Sequence, residues 1–236
     1  MQKDTNQFVI DDAREVLPKL SKANLSFLAL YVFSLISIPT NSKDEYKLYV
    51  EKLSKLLSNL KQLSALDIMY LKQQGCATGV QMIHVNEKLE KSLLTNYEYY
   101  FSKEISIEEL SRLLHTYHPI EQNDMMIITS LIHISKNNGV SLRFSSQSRL
   151  ANFSQQNNFP KTQAFFNEFI TLQGKPTLED TIDFHKNINN DWEYAFDLWK
   201  RQDIVSLSIM PVGLYIGSVY LGKEIGMKIP QNIFYQ

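Results

Sequence analysis

The stretch IVSLSIMPVGLYIGSVYLG, Ile204 to Gly222, carries no charged residue and is bounded by Asp203 and Lys223. Its length approaches the roughly 20 apolar residues of a membrane-spanning helix. Three serines and a proline dilute its hydrophobicity, however, and neither flank has a Lys/Arg cluster that would set an orientation. We therefore predict a buried helix at the centre of a folded protein, ending at Gly222 or Gly226, and no membrane insertion.

The details of this helix follow from its small residues. Ser208 is predicted to be the N-cap, because a serine hydroxyl accepts from backbone N–H groups of the first turn. Pro211 falls inside that turn, where its missing N–H is not needed. Gly213 and Gly217 lie one turn apart on one face, which predicts the close approach of a neighbouring helix.

The composition is that of an ordinary globular protein. The chain has 236 residues, is 44% hydrophobic and 21% charged, and carries a formal net charge of −1. A chain of this length can fold without a disulfide or a metal. Cys76 is the only cysteine, which excludes an intramolecular disulfide and a cysteine-based zinc site and favours a cytoplasmic protein. With a net charge near zero, the protein also lacks the long-range positive electrostatic field that most nucleic-acid-binding proteins use.

Helical patterns recur along the rest of the chain. Leu25 to Ile38 is an apolar helix, predicted to pack near the C-terminal one. Ser42 and Glu45 have the spacing of a capping box before the clearest amphipathic helix. Gly75 is predicted to end a later helix in the left-handed conformation. We predict an all-α, irregular bundle of about ten helices around the buried C-terminal helix.

Composition changes in one segment. Residues 145–158 are rich in Ser, Gln and Asn and have few apolar side chains, so we predict a polar loop there. This loop would separate an N-terminal helical part, residues 1–144, from a C-terminal helical part, residues 159–236. The two parts are expected to form one compact unit. Just before the loop, the apolar run from Asp124 to Ser135 fits either a helix or a strand.

Two groups of polar residues could carry chemistry. His115 and His118 are spaced to share a metal, but the local sequence supplies no further ligands, and histidines in a last turn also complement the helix dipole. The second group could form an acid/base or metal cluster, although acidic residues are expected in a first helical turn for dipole reasons alone. Its members are Glu179, Asp180, Asp183 and His185. We predict no catalytic residue, no bound metal and no cofactor.

Other residues of the sequence could bind a partner at the protein surface. Five aromatic residues of types enriched at protein interfaces are interface candidates, with the hydrophobic core as the alternative interpretation. They are Tyr97, Tyr99, Tyr100, Trp192 and Trp199. Arg143 and Arg149 flank the polar loop near phenylalanines, an arrangement that single-stranded nucleic acid uses. Two arginines make a weak case, so nucleic acid is not the expected partner.

Three motifs resemble those of an uncharacterised bacterial family named from paired locus tags. The residues 17–21, Leu-Pro-Lys-Leu-Ser, match a helix entry that ends in threonine in the family. Gly75 and Cys76 match its Gly-Cys turn. Residues 207–213 match a C-terminal Leu-Thr-Ser-Val-Gly helix, with serine for threonine at Ser208 and an inserted Ile-Met-Pro. Family members usually carry further N-terminal sequence.

The resemblance implies a helical bacterial protein with no established activity, from a class loosely associated with mobile elements and phage defence. Together with the absence of a convergent catalytic set in the sequence, it favours a non-enzymatic interaction or sensor module that docks another protein or itself. A nucleic-acid-binding regulator is the first alternative. An enzyme whose site is assembled from distant His and Asp residues is the second.

Overall fold

The computed structural model describes residues 2–36, 38, 40, 42–79, 88–135, 138–143 and 160–229. Within them the chain is all-α, with thirteen α-helices and five short strands. The helices are α1 (Gln2–Val16), α2 (Lys22–Leu35), α3 (Lys43–Lys52), α4 (Ser54–Leu60), α5 (Ala65–Gln73), α6 (Leu89–Phe101), α7 (Ile107–Thr116), α8 (Gln122–Leu131), α9 (Pro160–Gln173), α10 (Leu178–Ile188), α11 (Asp191–Leu198), α12 (Gln202–Val205) and α13 (Pro211–Ile225). The strands are β1 (Ala77–Thr78), β2 (Ile105–Ser106), β3 (Ile132–Ile134), β4 (Gly139–Leu142) and β5 (Ser208–Ile209).

The chain forms two units that are discontinuous in sequence. The first comprises residues 1–38, 49–92 and 185–236, and the second comprises residues 39–48 and 93–184. The predicted loop at residues 145–158 lies outside the described residues, so the division of the chain at that loop stays a prediction. The boundaries between the two units fall elsewhere in the sequence.

Helix α2 is the centre of the first unit. It begins at Ser21, whose side chain accepts from Asn24 N–H while the Asn24 side-chain oxygen accepts from Ser21 N–H, each at 3.1 Å. Phe27, Leu28 and Phe33 are fully buried, as is nearly every other residue of this helix. Burial of one such side chain is worth about 1.5–3 kcal/mol, so α2 is a large contributor to stability.

Helix α13 packs on α2, as the apolar pattern predicted. A Cβ atom built on Gly217 would lie 2.5 Å from the carbonyl oxygen of Leu28 and 2.9 Å from Val32 Cγ2. Gly213 lies in the same way against the backbone carbonyl of Cys76. Real Cβ atoms do not make such short contacts, so glycine is required at both positions.

The prediction that Ser208 caps this helix is wrong. Ser208 lies in β5, where it pairs antiparallel with Thr78 of β1, and its backbone is therefore extended. The helix begins three residues later, with Met210 at the N-cap and Pro211 at the first helical position. It ends at Gly226, which has φ +76° and donates its N–H to Gly222 O.

The stretch from Ile204 to Gly222 is also not one fully buried helix. It runs through the end of α12, a turn, β5 and then α13. One face of α13 is buried, whereas Val219 on another face is 46% exposed. The C-terminal helix therefore covers the core on one side, and the fully enclosed helix of the first unit is α2.

The second unit has its own apolar core. Phe165, Phe166 and Phe169 of α9 lie at its centre with residues from α7, α8 and a three-stranded sheet. The sheet has the order β2-β4-β3 and is antiparallel throughout. Residues 124–135, which fitted either a helix or a strand, form both, because α8 passes directly into β3 at Ile132.

Two predicted local signals are present. Glu45 N–H donates to Ser42 Oγ at 3.1 Å, which is the hydroxyl half of a capping box. Gly75 follows α5 with φ +70°, a conformation in which any other residue is strained. Among the described residues, no helix combines the length and the apolar character needed to cross a membrane.

Candidate docking groove

A groove of about 410 Å³ lies between α1 and one side of α13, and Leu17 after α1 and Leu25 of α2 complete its lining. Its walls are mostly apolar. Its lining residues are Ala13, Arg14, Leu17, Leu25, Tyr215, Ile216, Val219, Tyr220 and Lys223. Leu17 and Val219 are 40% and 46% exposed, so the groove presents large apolar side chains to solvent.

The charges of this groove have one sign. Arg14 and Lys223 are the ionised residues of its lining. Arg14 Nη1 lies 3.3 Å from Asp11 Oδ1, and both side chains are largely exposed. Such a surface ion pair contributes little to stability, so Arg14 can exchange Asp11 for another carboxylate. Among the described residues, Lys223 has no ion-pair partner, and the neighbouring Glu224 lies 3.8 Å from Lys55 Nζ.

Two tyrosines that the sequence placed inside a buried helix line this groove. Tyr215 and Tyr220 are half-buried, and burial raises the pKa of Tyr220 with a smaller contribution from Glu224. The sequence contained this signal for one of them. Tyr215 falls away from the helix face that Gly213 and Gly217 mark, whereas Tyr220, three residues after Gly217, lies beside that face.

The five aromatic residues predicted as interface candidates are instead buried. Tyr97, Tyr99 and Tyr100 are almost fully enclosed in the second unit, where the rings of Tyr97 and Tyr46 lie 4.3 Å apart. The Tyr100 hydroxyl reaches the Thr40 side-chain oxygen at 2.7 Å.

In the first unit, Trp192 and Trp199 pack on α2. Their rings lie 6.3 Å from Phe33 and 5.4 Å from Phe27 respectively. All five side chains are buried, so they are not exposed for recognition. Transfer of these large rings from water into the apolar core stabilises the fold.

The predicted polar groups do not assemble into a site. Asp180 accepts from the backbone N–H and the hydroxyl of Thr177, each at 2.7 Å, and these bonds hold its pKa below the ordinary value. Asp180 is therefore a capping residue of α10. Glu179 and Asp183 are exposed, and His185 is fully buried against Trp192.

The two histidines at the end of α7 also lack further ligands. The rings of His115 and His118 lie 6.4 Å apart. Across the part of the chain that the structure describes, no group of three or more His, Cys, Asp or Glu residues could hold a metal ion.

A different His–Asp pair does come together. His133 Nε2 of β3 lies 3.3 Å from Asp44 Oδ2 of α3, although the two residues are far apart in sequence. Beside them Ser135 Oγ donates to Glu104 Oε2 at 3.0 Å. Burial lowers the pKa of Lys43, against the charges of Glu104 and Asp44. The Asp44 side chain is 63% exposed, so this is a surface ion-pair network.

Arg143 takes part in the fold of the second unit. Its Nε donates to Ile132 O at 2.9 Å, and its own carbonyl oxygen accepts from the Tyr100 hydroxyl. One nitrogen of its guanidinium group is therefore already hydrogen-bonded to strand β3. Arg149, the other nucleic-acid candidate, lies outside the described residues.

The motif residues meet in the first unit. The Cys76 carbonyl oxygen accepts from Met210 N–H at 2.9 Å and lies against Gly213. The Gly-Cys turn and the start of the C-terminal helix are thus packed on each other, and Ser21 of the helix entry caps α2. The motif residues therefore hold segments of the backbone against each other. Burial raises the pKa of the Cys76 thiol to about 11, which makes this thiol a poor nucleophile.

A family model whose description reads ":-like" matches residues 1–235. The chain belongs to this family. The match agrees with membership of an uncharacterised family. No curated protein and no solved structure matches the chain.

Proposed function

We propose that this chain is a non-enzymatic interaction module and that the groove between α1 and α13 is its docking surface. The observation that supports this is the exposure of Leu17 and Val219 beside Tyr215 and Tyr220. Clustered apolar and tyrosine side chains of this kind form the centres of protein interfaces. The opposite face of α13 is closely packed, so the sequence of this helix serves two different surfaces.

The charges of the groove favour a partner of opposite sign. Arg14 and Lys223 border apolar walls without an acidic residue in the lining. A groove-to-groove contact between two copies would bring the same cations together, which is unfavourable. We therefore infer that the occupant is an amphipathic segment of another protein, with apolar side chains and at least one carboxylate.

The size of the groove is consistent with such a segment. About 410 Å³ accommodates a few side chains of a helix laid between α1 and α13. The apolar side chains would enter between Leu17 and Val219. A carboxylate near either end of the segment would then lie beside Arg14 or Lys223, where it gains a charge-assisted hydrogen bond.

A photo-crosslinking phenylalanine analogue placed at position 219 in the full chain tests the proposal in cells of the native host. The matched control carries the analogue at Leu66, an apolar residue of α5 in the same unit that is 74% exposed. We expect an adduct from position 219 that the control does not give. Mass spectrometry of the adduct should identify a segment rich in apolar and acidic residues.

Charge reversal provides the second arm of this experiment. Arg14→Glu combined with Lys223→Glu should abolish the adduct from position 219 while leaving the fold unchanged, because both side chains are exposed. Equal adducts from positions 219 and 66, a basic captured segment, or adducts only between copies of this chain would each contradict the proposal.

A further inference from the structure

Lys43, at the start of α3, is a half-buried lysine of the second unit. Its Nζ lies 5.8 Å from the centre of the Phe184 ring. Within the described part of the chain this nitrogen forms neither a hydrogen bond nor an ion pair, although the charges of Glu104 and Asp44 act on it. Lys200 shows the ordinary arrangement of a lysine, because its Nζ donates to Asp197 Oδ1 at 2.7 Å.

The surroundings of Lys43 disfavour a charge on its amine. Burial removes water from the ammonium group, and no hydrogen-bond acceptor among the described residues replaces that water. Lys43 is also the first residue of α3, where the positive end of the helix dipole repels a cation. The Phe184 ring stabilises the cation weakly, since 5.8 Å is near the limit of a cation–π contact.

The balance of these effects makes the amine a nucleophile. Burial lowers the pKa of Lys43, and the charges of Glu104 and Asp44 offset only part of this change. At a given pH, Lys43 therefore holds more of the neutral amine than an ordinary lysine does. A desolvated lysine of this kind is the usual residue for Schiff-base formation with carbonyl compounds.

The two carboxylates favour one class of electrophile. Asp44 and Glu104 repel an anionic acyl donor such as an acyl phosphate, whereas they do not repel an uncharged aldehyde. They also stabilise the positive charge of a protonated imine, whereas an amide at Lys43 would leave them without this cation. The Phe184 ring offers an apolar contact to the carbon chain of the aldehyde.

We propose that Lys43 is a covalent site for a small uncharged aldehyde, which it binds reversibly as a Schiff base. The Nζ lone pair attacks the carbonyl carbon, a C–N bond forms, and a proton moves from the nitrogen to the carbonyl oxygen. The resulting carbinolamine loses water as the C=N bond forms, so the step requires no oxidant or reductant. This site is independent of the groove proposed above.

Limited reductive alkylation of the full chain tests this assignment. Cyanoborohydride traps each Schiff base of propanal as a propyl amine, and peptide mapping by mass spectrometry gives the rate at each lysine. The Lys43 rate should reach its half-maximum at a lower pH than the Lys200 rate, because the hydrogen bond to Asp197 raises the pKa of Lys200. At pH 7 we expect Lys43 to be propylated several-fold faster than Lys200. No propylation of Lys43 in the folded chain, or a half-maximal pH at or above that of Lys200, would overturn the proposal.

Asp44→Asn tests the electrostatic part of the proposal, and its side chain is exposed enough for the fold to tolerate the change. Because the Asp44 charge raises the pKa of Lys43, its removal should move the half-maximal pH of propylation lower. Acetylation of Lys43 by acetyl phosphate should increase more than propylation, since repulsion of the anion is also removed. Asp191→Asn, which removes the partner of Lys61 in the first unit, is the matched control and should change neither rate. An unaltered pH profile in Asp44→Asn, or equal increases with both reagents, would contradict the assignment.

Discussion

Two faces of helix α13 differ more than the uniform composition of that helix suggests. On one face Gly213 and Gly217 allow backbone of the Cys76 turn and of α2 to approach within the distance that a Cβ atom would occupy. On the other, Tyr215 and Val219 line an open groove. The comparison teaches that the glycines mark the closest backbone contacts made inside this chain, whereas large side chains of the helix occur on both sides, buried at Leu221 and exposed at Val219.

The largest effect is expected on the glycine face. Gly217→Ala places a Cβ atom 2.5 Å from Leu28 O and 2.8 Å from its carbonyl carbon, and backbone cannot rotate away as a side chain can. We expect the free energy of unfolding in urea to fall by about 3 kcal/mol. Gly79→Ala is the control, because its Cβ would meet only the flexible end of Lys72, at 3.1 Å. A Gly217→Ala variant as stable as wild type would show that the helices are not in close contact.

Reactivity of Cys76 reports on the same face. The residue is fully buried beside Gly213, and burial raises the pKa of its thiol to about 11. At pH 8 a disulfide reagent should therefore modify the folded wild-type chain slowly and the unfolded chain rapidly. Gly217→Ala should react faster than wild type, because a less stable first unit opens more often. Equally rapid modification of folded and unfolded chains would disprove the burial of this thiol.

The direction of the pH dependence follows from the raised pKa of Cys76. Between the ordinary pKa of a thiol and about 11, the unfolded chain has lost this proton and the folded chain keeps it. The unfolded state therefore binds fewer protons, so stability falls as the pH rises through this window. Cys76→Ala should show a smaller decrease in unfolding free energy than wild type over the same range.

Much of the fold was predictable because its signals are local. The run Leu25 to Ile38 predicted a buried helix, and the spacing of Gly213 and Gly217 predicted the close approach of a neighbouring one. Ser208 misled because a serine before an apolar run is typical of an N-cap. Its pairing with Thr78, more than 100 residues away in the printed sequence, is a tertiary contact that local pattern cannot show.

The candidate sites were less predictable for a related reason. Which aromatic residues are exposed depends on how many apolar elements surround each one, and this is a property of the assembled unit. Tyr99 and Trp192 were predicted at an interface and are enclosed, whereas Tyr220 was predicted in the core and lines the groove. The pairing of His133 with Asp44 likewise depends on chain topology.

An intermediate effect is expected at the start of α2, the helix against which the glycine face packs. Ser21→Ala removes the hydroxyl that accepts from Asn24 N–H at 3.1 Å. We expect the unfolding free energy to decrease by about 1 kcal/mol. Ser206→Ala is the matched control, because the Ser206 hydroxyl donates to Gln202 O within an exposed turn. If the unfolding free energy of Ser21→Ala falls no more than that of the control, the Ser21 hydroxyl does not stabilise the start of α2.

The smallest effect is expected on the groove face. Val219→Ala deletes two methyl groups that are partly in water already, and alanine favours a helix over valine by up to about 0.7 kcal/mol, so the unfolding free energy should change by less than about 0.5 kcal/mol. The measurement needs two protein concentrations tenfold apart. A loss that approaches the Gly217→Ala value only at the higher concentration would mean that a second copy covers Val219. The groove would then be a self-association surface despite the charges of Arg14 and Lys223, and the two faces of α13 would both be packed.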